Sequence, residues 1–152
     1  MCLSPRELSR RIIKRVCWEK PPPGCAKLNT DRVTVGSSGL ARCGGLIRDE
    51  NGAWLARFSR NIRSTTSYAA ELWGIKDGLA LCYNLNIHSI IVKLDAKSIV
   101  NVFRNPNCEG NIISPILDDC KQLMMQFQPI QFKHCYWEAN RCADMLAKVG
   151  LD

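Results

Sequence analysis

The sequence predicts an α/β domain built on a mixed sheet with helices on its faces, and three observations carry that reading. Three β-prone runs follow one another between Lys27 and Ser59, joined by short turns. Apolar side chains then recur at Tyr68, Leu72, Ile75, Leu79 and Cys82, in steps of four and three, which is one face of a helix. Beyond it, the β-branched run Ser89 to Asp95 opens an alternation of strand and helix. Hairpin-linked strands pair antiparallel, whereas strands separated by helices join through right-handed crossovers, so the first and fourth strands should be parallel neighbours. A chain of 152 residues that is 46% hydrophobic suits one compact domain better than two.

Each element has its own signal. Residues 1–24 read as a basic tail, with Arg6, Arg10, Arg11, Lys14 and Arg15, and a Pro-rich linker, Pro21-Pro22-Pro23-Gly24, so the folded domain is expected over 25–152. The first strand starts at Lys27 and a turn at Gly36 to Gly39 follows. Leu40 to Arg48 is the second strand, Asp49-Glu50-Asn51-Gly52 a hairpin turn, and Ala53 to Ser59 the third. Ser67 is placed to cap a helix running to about Leu85, in which Gly74 and Gly78 are tolerable if they let the backbone approach the sheet closely. Further helices are expected at Ala96 to Phe103 and Ser114 to Phe127, a last strand at Ile130 to Tyr136, and a closing helix at Asn140 to Val149 capped by Asn140.

Charge and cysteine content narrow the setting. Lys and Arg number 21 against 14 Asp and Glu, a net charge of +7 that favours polyanionic partners. The nine cysteines are odd in number, contain no C-x-x-C and follow no apolar leader near Met1, so an intracellular, reducing location is expected rather than secretion or a structural zinc site. No apolar stretch approaches the ~20 residues of a membrane span, and no membrane partner is expected.

Four carboxylates occupy comparable places: Asp31 on the first strand, Glu71 in the first turn of the first helix, Asp95 ending the fourth strand and Asp144 opening the last helix. Each alone has a plainer use, since Glu71 near a helix start compensates the dipole and most single acids are solvated surface charges. Asp49, Glu50, Asp118 and Asp119, in a turn or on a helix exterior, are assigned to that second class. If the four converge, their repulsion demands either protein cations or hard divalent ions, Mg²⁺ or Mn²⁺. Two such ions about 3.5–4 Å apart can support in-line phosphodiester cleavage.

The runs Asn29-Thr30-Asp31, Ala70-Glu71-Leu72, Leu94-Asp95-Ala96-Lys97 and Asn140-Arg141-Cys142-Ala143-Asp144-Met145-Leu146-Ala147 together resemble the ribonuclease H family. They are most similar to the reverse-transcriptase-like ribonuclease H domains of plant non-LTR retroelements, over about Trp18 to Leu151. The resemblance implies strand order 3-2-1-4-5 and metal-dependent hydrolysis of the RNA strand of RNA/DNA hybrids, leaving 5′-phosphate and 3′-hydroxyl ends. It implies that Asp31, Glu71, Asp95 and Asp144 hold two Mg²⁺ or Mn²⁺ ions, and that His134, ten residues before Asp144, assists proton transfer or product release. Asn29, Arg32, Lys97 and Asn140, beside the acids, become the candidate contacts to nucleic acid, in a protein acting as a monomer without a small-molecule cofactor. Two positions depart from the family pattern: Arg32 stands where glycine is usual after the first acid, and Trp137 where related domains carry arginine. The alternative reading keeps the fold as a nucleic-acid-binding module with weak or no turnover, and Arg32 is its best support.

Overall fold

The computed structural model describes residues 20–35, 40–62, 66–94, 96–104 and 115–135. Five strands form one sheet: β1 (Ala26–Val35), β2 (Leu40–Arg48), β3 (Trp54–Ile62), β4 (Ile90–Leu94) and β5 (Ile130–His134). Their spatial order is β3-β2-β1-β4-β5, the order the resemblance implies. β1 pairs antiparallel with β2 and parallel with β4, and β4 pairs parallel with β5. Three helices are described: α1 (Ser67–Asn84), α2 (Lys97–Arg104) and α3 (Pro115–Met124). The expected closing helix and Tyr136 lie outside the described residues.

The core forms where helix faces meet the sheet. Leu72, Ile75, Leu79 and Cys82 of α1 are fully buried with Leu28, Ile47, Val92 and Leu94 of the strands. Ile99, Val100 and Phe103 bring α2 onto the same core, and the Phe103 and Phe132 rings stack at 4.4 Å. Residues of this kind contribute about 1.5–3 kcal/mol each on full burial. α3 docks on α1 through Lys76 and Asp119, 3.0 Å apart, and through the Cys120 thiol, which donates to the Leu72 carbonyl.

Gly74 and Gly78 do permit the expected close approach. A Cβ at position 78 would meet Leu28 Cδ2 at 2.6 Å, and one at position 74 would meet Cys43 Cβ at 3.2 Å and the Asp31 carbonyl at 3.9 Å. These contacts give α1 its direction: moving from Gly78 back to Gly74 moves from Leu28 up to Asp31, so α1 runs antiparallel to β1.

Several boundaries differ from expectation for physical reasons. The cap of α1 is Thr66, whose hydroxyl accepts the Ala69 N–H at 3.1 Å, so the helix begins at Ser67 and Glu71 falls beyond its first turn. β3 continues to Ile62 because β2 offers it partners as far as Ala41. α3 stops at Met124, since the N–H groups of Met125, Gln126 and Phe127 each turn back three residues to a carbonyl, and Gln128 N–H is drawn to the His88 carbonyl. Pro22 to Cys25 forms a turn closed by Cys25 N–H to Pro22 C=O, with Gly24 at φ +81° and Pro21 buried, where a Pro-rich linker ahead of the domain was expected.

Candidate metal and nucleic-acid site

The site begins with an alternation. Even-numbered residues of β1 face α1: Leu28 meets Gly78, and the Thr30 Cβ would lie 3.8 Å from a Cβ at Gly74. Asp31, an odd-numbered neighbour on the same central strand, meets α1 through its backbone carbonyl and is 4% exposed, opposite Gly44 of β2. Its Oδ1 accepts the backbone N–H of Arg32 at 2.8 Å. One helical turn before Gly74 comes Glu71, 2% exposed, at the same end of the β1–α1 contact as Asp31. Placed beyond the first turn, Glu71 loses most of its use as a dipole partner, which decays over that turn. Burying it costs free energy, which nearby positive charge helps to offset: Arg32 Nε lies 3.8 Å from Glu71 Oε2.

The strand register brings the end of β4, and through it His134, towards Asp31. Asn29 pairs with Lys93, and Leu94 pairs with His134, so the carboxyl ends of β4 and β5 lie beside the middle of β1. His134 is exposed there, as the last residue of β5. Asp95, Asp144, Asn140 and Trp137 lie outside the described residues. Among the described residues no three His, Cys, Asp or Glu side chains gather closely enough to hold a metal ion. What is described is two buried carboxylates, Asp31 and Glu71, each in contact with Arg32: hard oxygen donors of a chemistry that fits a Mg²⁺-like cation.

Of the expected nucleic-acid contacts, Lys97 is exposed at the start of α2 and the Arg32 side chain is 39% exposed. Asn29 is 4% exposed between β2 and β4, which gives it the interior of the site and not its surface. The acids assigned to the solvated surface do more than that. Asp49 Oδ1 accepts the Asn51 and Ala53 N–H groups and so holds the hairpin turn, and Glu50 accepts from Gly24 N–H. Asp119 is the partner of Lys76.

Two further features border the site. Cys43, opposite Arg32 in the β1–β2 register, is fully buried beside the site; burial pushes its thiol up to about 12, with Asp77 and Glu71 adding and Arg60 opposing. On α1, the Trp73 ring has two cations over it, Arg60 at 5.1 Å and Lys76 at 4.8 Å from its centre, with Arg60 also paired to Asp77. The only signal for it was the spacing of Trp73, Lys76 and Asp77 on one helical face.

Known proteins agree with this architecture. The family described as reverse transcriptase-like matches residues 29–150. An Arabidopsis thaliana protein named "Putative ribonuclease H protein" is 33% identical over 140 residues, which is 92% of this chain; the chain spans only 23% of that relative's length. The N-terminal ribonuclease H domain of a Mycobacterium tuberculosis protein superposes with a TM-score of 0.75 at 23% identity, over 84% of this chain and 94% of that one. Ribonuclease H1 of Halobacterium salinarum gives 0.75 at 20% identity, over 84% and 98%. LC11 ribonuclease H1, solved with an RNA/DNA hybrid, gives 0.70 at 24% identity, over 84% and 99%. By the extent of the family match and the identity to the Arabidopsis protein, the chain belongs to the reverse transcriptase-like ribonuclease H family.

Proposed function

We propose that the chain is a metal-dependent endoribonuclease that hydrolyses the RNA strand of RNA/DNA hybrids. The observation that carries this is the burial of two carboxylates, Asp31 and Glu71, at one end of a strand–helix contact whose other end is apolar, in a chain of this family. Burying two carboxylates costs free energy that their partners must offset, and a fold with no use for them gains by substituting apolar residues.

In this reading Asp31 and Glu71, with Asp95 and Asp144, hold two divalent ions, Mg²⁺ or Mn²⁺. Bound there, such ions supply charge stabilisation at the scissile phosphate and a water of lowered pKa. The chain's own residues do the rest. The Arg32 N–H orients the Asp31 carboxylate, and Lys97 and the net charge of +7 hold the polyanion. His134, exposed beside the end of β4, carries a proton to or from the departing strand. A hybrid-bound ribonuclease H1 of the same fold supports the choice of substrate. The reverse transcriptase-like family and a plant relative more than four times longer support an origin in a retroelement. Five described cysteines are free thiols, which suits action inside the cell, and we take the acting unit to be a monomer.

A second reading, a hybrid-binding module with weak turnover, is favoured by one observation, the Arg32–Glu71 pair. Cleavage of an end-labelled RNA/DNA duplex in Mg²⁺ or Mn²⁺ separates the two. The nuclease reading expects metal-dependent cleavage that falls on the order of a thousandfold in Asp31→Asn, the loss of several kcal/mol of transition-state stabilisation. Equal rates in the variant, or cleavage without metal, contradict it. Tight hybrid binding with no product selects the binding module.

A further inference from the structure

One residue touches both described carboxylates. Arg32 gives its backbone N–H to Asp31 Oδ1 at 2.8 Å, and its guanidinium Nε stands 3.8 Å from Glu71 Oε2. The second separation is within ion-pair reach but beyond a hydrogen bond, so charge and not directional bonding holds it. The partners are also unequal: the Glu71 side chain is 2% exposed and that of Arg32 is 39%. Glu71 is thus fixed in the interior, while the guanidinium approaches from solvent and can return there on its flexible stem.

We propose that Arg32 is a tethered competitor for the divalent cation at Glu71. The inference rests on the metal-dependent reading above and deepens it. With no ion bound, Arg32 lends its positive charge to the buried Glu71. A divalent ion entering the site must displace the guanidinium, so Arg32 lowers the chain's affinity for the metal and sets the concentration at which the site fills. Once displaced, the guanidinium fork lies in solvent beside the site, where it suits a phosphate oxygen of the substrate. Loading of the metal and engagement of the polyanion are thereby coupled through one side chain.

The test is Mn²⁺ binding by the 152-residue chain, measured by calorimetry and by the shift in melting temperature, with no substrate present. Arg32→Met keeps the stem and removes the charge; Arg32→Gln is a second neutral variant should the first fold poorly. Either is expected to bind Mn²⁺ on the order of tenfold more tightly than the parent chain, the scale of one partly screened charge at ion-pair distance. The melting temperature of the neutral variant should rise more on Mn²⁺ addition, and adding Glu71→Gln should cancel the gain. Arg32→Lys should leave the affinity near that of the parent. Neutral variants that bind no more tightly, while Glu71→Gln weakens binding by the parent chain, overturn the role of Arg32 and leave the metal site standing. Absence of Mn²⁺ binding by every chain overturns both.

Discussion

The two ends of the β1–α1 contact are built from the same strand, the same helix and the same glycine-permitted closeness, yet they are filled in opposite ways. At one end Leu28 fits against Gly78, with Leu79 and Cys82 fully buried around it. At the other end, one to two helical turns away, Asp31 and Glu71 are buried just as deeply, with Arg32 reaching in from solvent. Identical backbone geometry thus serves stability at one end and holds charge at the other. The backbone does not require the charges; an apolar pair would pack there at lower cost.

The contrast predicts different responses to substitution. The largest stability effect belongs to the apolar end: Leu28→Ala should cost about 2–5 kcal/mol, because a rigid helix and sheet cannot collapse onto the cavity. Urea unfolding measures it, and a cost under about 1 kcal/mol would show that the contact is looser than the Gly78–Leu28 approach indicates.

Next in size is an alkaline effect. Burial raises the thiols of Cys82 and Cys120 to about 12, and burial together with Asp77 does the same for Cys43, all from 9.0. Their folded values lie above the unfolded ones, so the stability they contribute is whole below pH 9 and is lost as pH climbs towards 12. Unfolding midpoints followed across that window should fall less steeply in Cys82→Ala than in the parent. Equal slopes would mean that the thiol is open to solvent. Smallest of all is the Lys76–Asp119 bridge. It is partly exposed, so Asp119→Ala should change stability by no more than about 1 kcal/mol in thermal melts, and less at high salt.

Much of this was legible from the residues. β-prone runs, turn residues and helical spacing together located every described strand and helix, and the hairpin and crossover rules placed β1 beside β4. The boundaries that shifted did so where local signals were ambiguous. Thr66 and Ser67 are adjacent hydroxyl residues, either able to cap, and only the fold chose Thr66. That choice moved Glu71 out of the first turn and changed its meaning. β3 overran its apolar pattern because an edge strand with exposed Ser59, Arg60 and Asn61 is defined by its partner's length and not by its own side chains.

Within the candidate site, the burial of Asp31 and Glu71 followed from their apolar neighbours in sequence. The Arg32–Glu71 pair did not, because it joins residues on separate elements and depends on the direction in which α1 crosses β1. The Arg60–Trp73–Lys76 set was hidden for the same reason, with one cation supplied by another strand.

The most direct test of a polar end built for chemistry is to follow Glu71→Gln on two axes at once, urea stability and metal-dependent hybrid cleavage, beside Leu28→Ala. The expected result is a Glu71→Gln chain as stable as its parent or more so, with cleavage reduced on the order of a thousandfold. A Glu71→Gln chain that loses stability as Leu28→Ala does while still cutting the hybrid at the parental rate would contradict the account.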